Sequence, residues 1–471
     1  MKTRADQSVG PNWNRIFVLL GVLIAVFVLL AFVALPQVDT MEYSANASST
    51  EKQVGVVPKE AEASTTLTQN EPSFFAKFFG MENASGTPAV PVATATPSVI
   101  PKVAEGVSHR KTPIPVKAIY VSQCAATTKS FRDRVAKLVT EREINSVIID
   151  VKDFTGALSF RAVDKDLLST YDHARCPVKD MKEYIAELHE ADVYVIARIQ
   201  VFQDPLQTKL HPELAVKRAS DGGTWKDHKG LAFVDVSAKP HWEYIAKVGE
   251  ESYLLGFDEL NFDYIRYPSD GNMKDISYTW AKGRSKSEAL RLFYEFLHDR
   301  FQPQGIPISA DLFGMTTTQL DDMNIGQVLE DAARNFDYVA PMVYPSHYPV
   351  GFNGWKNPNI VPYEVVKFSM SRAVERLRLA SLSPTKLRPW LQDFQYGGTY
   401  GVPEIRAQIR ATYDSGLDSW MMWDPKVEYT AGAYHLKDAP ADTIAPYPPL
   451  PKPKPVATTT PKVVPKEVSV P

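Results

Sequence analysis

Between about residues 115 and 430, short apolar runs alternate with stretches whose apolar residues recur every three or four positions, and the alternation repeats eight times. The runs fall at 116–122, 146–152, 194–201, 257–265, 307–313, 338–344, 388–394 and 419–423. Phe131, Val135, Leu138 and Val139 share one face of the first intervening helix. Met181, Ile185 and Leu188 mark the second helix, Leu290, Phe293 and Leu297 the fourth, and Ile405, Ile409 and Tyr413 the seventh, all at helical spacing. Runs so continuous in apolar content suit strands covered on both faces, and the helices supply the crossovers that parallel strands require. The pattern predicts an α/β fold, a closed (β/α)8 TIM barrel over residues 113–437. An open doubly wound sheet is the alternative, but no Gly-rich loop opens a helix after the first strand.

The flanks have a different character. Residues 16–35 form an apolar run preceded by Lys2, Arg4 and Arg15, long enough to cross a bilayer with 1–15 left on the cytoplasmic side. A cleaved signal peptide is the competing reading. Residues 36–112 and 438–471 are rich in Pro, Thr, Ser and Val and lack the apolar periodicity that offsets ordering entropy, so disordered spacers are expected there. The barrel is thereby placed outside the cytoplasm, tied to the membrane through its N-terminal helix.

Composition narrows the function. A formal net charge of −3 provides no basic field for nucleic acid. The chain has 2 cysteines, Cys124 after the first strand and Cys176 after the second, on neighbouring loops of one rim. An oxidising exterior permits a disulfide between them, with two free thiols as an equal alternative.

In a parallel barrel the chemistry sits at the carboxyl ends of the strands. Side chains alternate along a strand, so Asn261 and Asp263 share the inward face of the fourth run. A buried charge there costs several kcal/mol, roughly, unless it is paired, which makes Asp263 a catalytic candidate and an ion pair with Arg266 or Arg198 its structural alternative. Asp311 ends the fifth run and Asp393 the seventh. Asp150 and Lys152 are expected on the inward face of the second run, and Arg198 and Gln200 on that of the third. Ion pairing is the simpler reading of Asp150, while Gln200 lies near enough to the rim to meet a ligand.

The segment Asp258-Glu259-Leu260-Asn261-Phe262-Asp263, taken with Ile148-Ile149-Asp150-Val151-Lys152 and Ala340-Pro341-Met342-Val343-Tyr344-Pro345, resembles a bacterial putative glycoside hydrolase domain family whose (β/α)8 barrel is related to α-amylase-like glycosidases. In those relatives the residue matching Asp263 is the nucleophile, and the arginine two residues before it is Asn261 here. Chitinase-like relatives would place their glutamate at Ile265, which disfavours that chemistry. The resemblance implies a second carboxyl group to protonate the leaving oxygen. Asp311 is the first candidate for it, and Asp393 is the runner-up. Substrate contacts are expected from Asn261, Gln200, Arg266 and Gln392, with Trp225, Tyr267, Tyr344 and Trp423 as aromatic surfaces on which sugar C–H faces stack.

The expected function is hydrolysis of a cell-envelope or extracellular polysaccharide by two carboxylates, with no cofactor. A noncatalytic carbohydrate-binding or wall-organising barrel is the competing class, and a deacetylase-like metalloenzyme is a third.

Overall fold

The computed structural model describes residues 107–437. The expected cytoplasmic segment 1–15, anchor 16–35 and tail 438–471 lie outside the described residues, as does the linker up to residue 106. Among the described residues no helix is long and apolar enough to cross a membrane.

Eight parallel strands close into a barrel in chain order: β1 Lys117–Val121, β2 Ser146–Lys152, β3 Tyr194–Gln200, β4 Glu259–Asp263, β5 Ile308–Phe313, β6 Tyr338–Met342, β7 Trp390–Gln392 and β8 Trp420–Trp423, with β8 pairing back onto β1. The crossovers carry α1 Lys129–Glu141, α2 Met181–Glu190, α3 Lys239–Leu255, α4 Lys286–Phe301, α5 Leu329–Asn335, α6 Pro362–Leu379 and α7 Val402–Asp414. The apolar positions that predict the helices are the ones that pack: Val135, Leu138 and Val139 of α1, Met181, Ile185 and Leu188 of α2, and Leu290, Phe293 and Leu297 of α4 are buried. Local chemistry fixes the helix ends. Ser285 accepts the Glu288 N–H at the start of α4, and Gly256, at φ 117°, closes α3 in a left-handed conformation that costs a residue with a Cβ about 1 kcal/mol or more.

No eighth crossover helix follows β8 among the described residues. Instead the chain runs back along α1, where the Glu143 N–H donates to His435 O at 2.9 Å and the Lys437 N–H to Glu141 O at 3.0 Å.

Two strands depart from the sequence expectation in ways that matter for the site. β4 stops at Asp263 because Tyr264 takes φ 51°. This left-handed conformation is costly for an aromatic residue, and its N–H donates to the Asp263 carboxylate at 2.5 Å. In β2 the register slips between Asp150 and Lys152, so that Lys152 pairs with Ile199. A one-residue slip moves a side chain to the other face. Lys152 therefore does not share the inward face with Asp150. It points to the helix layer, where its ammonium meets the buried Asp204 at 2.7 Å and donates to Gln200 O at 2.7 Å.

The amino-terminal base of the barrel is closed by a charge-balanced pair. Arg388 Nη1 donates to both oxygens of Glu259 at 3.1 and 2.8 Å, the Tyr194 hydroxyl donates to Glu259 Oε2 at 3.0 Å, and the guanidinium lies over the Tyr338 ring. Residues 107–112, assigned to the linker by composition, belong to this base. The Arg110 N–H donates to Asp258 at 2.6 Å, and Thr112 and Tyr194 exchange a hydrogen bond at 2.9 Å.

Candidate active site

At the carboxyl end, inward positions of four strands converge on Arg198 of β3. Its Nη1 donates to Asp150 of β2 at 2.5 Å, its Nη2 donates to Asp263 of β4, and its Nε lies 3.7 Å from Asp311 of β5. The Tyr120 hydroxyl of β1 donates to the other Asp150 oxygen at 2.5 Å. Strand pairing explains the convergence. Asp150 lies opposite Arg198, and the β4–β5 register of Asn261 with Ser309 and Phe262 with Ala310 brings Asp263 level with Asp311. Alternation then turns all of them inward. Trp423 of β8 closes one side, 4.9 Å from the guanidinium and stacked on Tyr120 at 3.9 Å.

The electrostatics are uneven. Three carboxylates share one guanidinium, with Asp150 and Asp263 3% exposed and Asp311 1%. Burial raises the Asp311 pKa well above the carboxylate range, and the Asp263 charge adds to the effect while Arg198 opposes it. Like charges on adjacent strands cannot both be held ionised cheaply, so the proton settles on Asp311. Asp150 is lifted by burial to about 6, against the pull of Arg198 and the Tyr120 hydroxyl. The Asp311 Oδ1 accepts from Asn261 Nδ2 at 2.9 Å and from Trp390 Nε1 of β7 at 2.7 Å.

The remaining expected site residues divide. Asp393 is not part of the cluster. Trp390 and Gln392 take the inward positions of β7, and Asp393 follows with opposite parity, accepting from the Thr430 N–H and hydroxyl at 2.9 and 2.7 Å and from the Tyr434 hydroxyl at 2.8 Å. It ties down the chain after β8 and does not face the barrel interior. Trp225 is 1% exposed, packed with Val216 and Phe233 in a small separate core, its indole donating to Asn272 O at 3.0 Å. Tyr267 is equally buried against Tyr278. Neither presents a surface to the mouth. Arg266 donates to Tyr267 O at 3.0 Å and to Ser269 at 3.3 Å, and lies over the Phe313 ring. Asn261 faces the interior beneath Asp263 and contacts Ser309 and Asp311. Gln200 is wholly buried and donates to Gln203 at 3.0 Å. Gln392 accepts from the Ser346 hydroxyl at 2.8 Å and so braces the rim.

Aromatic rings do line one side of the mouth. Tyr344, His347 and Phe394 lie within 5.9 Å of one another by ring centre, and His347 lies 5.7 Å from Tyr396, which is 38% exposed. The sequence reading missed Tyr120 and Trp390 as members of the cluster. Inward parity, one step below Asp150 for Tyr120 and one step below Gln392 for Trp390, was the signal that could have found them. Cys124 and Cys176 form the disulfide, joining the loops after β1 and β2. Among the described residues no group of three His, Cys, Asp or Glu side chains is arranged to hold a metal ion.

Comparison with known proteins agrees with this architecture. The family described as Putative glycosyl hydrolase domain matches residues 118–429. Among solved structures, the glycoside hydrolase domain of PgaB (BpsB) from Bordetella bronchiseptica covers 68% of this chain and 99% of its own at 14% identity and a TM-score of 0.50, a likeness of fold. A hypothetical protein from Ruminiclostridium thermocellum ATCC 27405 shares 26% identity over 44% of this chain and 98% of its own, with a TM-score of 0.38. The glycoside hydrolase domain of PelA from Pseudomonas aeruginosa shares 12% over 67% of this chain and 96% of its own, also at 0.38. Among curated proteins none matches the chain.

Proposed function

This chain belongs to the family described as Putative glycosyl hydrolase domain, and we propose that it cleaves a cell-envelope or extracellular polysaccharide with Asp263 as nucleophile or electrostatic stabiliser and Asp311 as the proton-bearing carboxyl group. The observation that carries this reading is the shared guanidinium: Arg198 lies against Asp150, Asp263 and Asp311 at once. A purely structural ion pair needs one carboxylate. Here the excess negative charge stands at the carboxyl ends of the strands, where an oxocarbenium-like transition state would be stabilised by it.

In this mechanism Asp263 accepts from the Arg198 guanidinium and is oriented by the Tyr264 N–H. Asp311 keeps its proton through burial and the Asp263 charge and gives it to the bridging oxygen as the bond from that oxygen to the anomeric carbon breaks. The rim rings of Tyr344, Phe394, Tyr396 and Trp423 supply stacking surface for sugar units. We further propose an exterior, membrane-anchored location, supported by the apolar run at 16–35 and by a disulfide suited to an oxidising compartment.

A noncatalytic carbohydrate-binding barrel is the second reading. It is favoured by the near-complete sealing of the three carboxylates, none more than 3% exposed. The test is to incubate residues 37–471 with purified envelope glycans and assay new reducing ends for the unmodified protein, Asp263→Asn and Asp311→Asn. Cleavage lost in both variants supports the hydrolase. Binding without cleavage by the unmodified protein supports the second reading.

A further inference from the structure

Beneath Asp263, three inward-facing polar atoms have no hydrogen-bond partner in the protein: Arg198 Nε, Asn261 Oδ1 and Asp311 Oδ2. They belong to side chains 5%, 0% and 1% exposed. Unsatisfied atoms buried this deeply cost about 1–3 kcal/mol each, and native interiors rarely hold several together.

Their directions are fixed by what the same side chains already do. Asn261 Nδ2 donates to Ser309 at 3.1 Å and to Asp311 Oδ1 at 2.9 Å, which turns its oxygen away from β5. Arg198 lies opposite Asn261 on the β3 side. Asp311 Oδ1 accepts from both Asn261 and Trp390, so the proton that burial keeps on Asp311 resides on Oδ2. A protonated Oδ2 and the Arg198 Nε–H both offer a hydrogen, and neither reaches an acceptor in the protein. They stand 3.7 Å apart, too far for a hydrogen bond. Whatever fills the need must accept from two donors and donate to the Asn261 oxygen. An anion is excluded by the carboxyl groups and a cation by the guanidinium. A sugar hydroxyl is excluded at the Asn261 end, which is 0% exposed and lies one inward position below Asp263. Gln200 Oε1, one inward position nearer the mouth, is a fourth unpartnered atom and a further acceptor.

We propose that this face of the barrel interior is a site for one resident water molecule, held by Arg198 Nε, Asn261 Oδ1 and Asp311 Oδ2. Water is the smallest molecule offering two donors and two acceptors, and buried waters characteristically make two to four such bonds. The water gives the Asp311 proton an acceptor when no sugar oxygen is in place. The site itself stands on the barrel geometry alone; only its service to Asp311 as the acid rests on the hydrolase reading.

The deciding experiment is a crystal structure of the protein at a resolution that shows ordered water, together with water relaxation dispersion in solution on the unmodified protein and Asn261→Leu. The expected result is density within hydrogen-bond distance of all three atoms, and the loss of one long-lived water in the variant, whose methyl groups replace the acceptor. A direct Arg198–Asp311 hydrogen bond with no density between them, density of an ion, or an unchanged dispersion profile in Asn261→Leu overturns the proposal. If that variant does not fold, the structure of the unmodified protein decides alone. Both measurements are made without substrate, so a protein that cleaves no glycan still answers the question.

Discussion

The barrel holds two buried ionic clusters, one at each end, and they are built to different rules. At the base, Glu259 meets Arg388 one to one, both carboxylate oxygens are engaged, and Tyr194 completes the set. At the mouth, Arg198 faces Asp150, Asp263 and Asp311, and polar atoms on four of the inward side chains have no hydrogen-bond partner in the protein. The base is a neutral plug whose loss would leave a bare charge. The mouth carries more negative charge than its own packing can justify, and the proposed catalysis needs surplus charge of this kind. Equal burial thus conceals opposite charge balances, and on the proposed function these correspond to opposite roles.

The widest separation is expected from exchanging function for stability. Asp263→Asn should lower kcat/KM by about 10³-fold or more, and Asp311→Asn by about 10²- to 10⁴-fold, with melting temperatures at or above that of the unmodified protein because surplus charge is removed. Arg388→Met should do the reverse, costing about 3–5 kcal/mol of unfolding free energy by stranding Glu259, while the molecules that remain folded keep their kcat. Denaturant titration beside glycan assays checks both arms, and a mouth variant that unfolds while staying active would collapse the distinction.

A smaller effect bears on the mouth alone. Cys124 and Cys176, separated by 52 residues, tie the first two loops of the rim. Replacing both with serine should cost about 3 kcal/mol, seen as a lower denaturant midpoint, and should leave the base residues protected from amide exchange longer than β1 and β2.

The smallest is a pH effect. The folded pKa of Asp150, about 6, lies above its ordinary 3.8. Its contribution to stability is therefore fully present below about pH 4 and is lost as pH rises through about 6, at most about 3 kcal/mol in all. Asp150→Asn should flatten that decline. Unfolding free energies that run parallel for both proteins from pH 4 to 7 would mean that Asp150 titrates normally and that the mouth is less strained than its composition suggests.

Much of this was legible in the chain. The eight apolar runs, the helical faces of α1, α2 and α4, the inward placement of Asn261 and Asp263 and the approach of Arg198 to Asp150 or Asp263 all follow from periodicity, because alternation along a strand is a local property. The outward direction of Asp393 was equally legible, by counting from Trp390 and Gln392. The position of Lys152 was not. A single slipped pair in β2 reverses it, and register slips depend on the neighbouring strand. Nor could the sequence distinguish Trp225, sealed in its own small core with Val216 and Phe233, from an aromatic at the mouth, since both lie in long loops after strands.

The sequence by itself determined the kind of fold and the faces of its strands, for these are set by the spacing of residues within a few positions of one another. Tertiary structure alone decided that three acids from β2, β4 and β5 converge on one guanidinium from β3, and which of them holds the proton. Those depend on registers between strands 48 to 65 residues apart and on the exclusion of water, and burial is a property of the closed barrel that no single strand possesses.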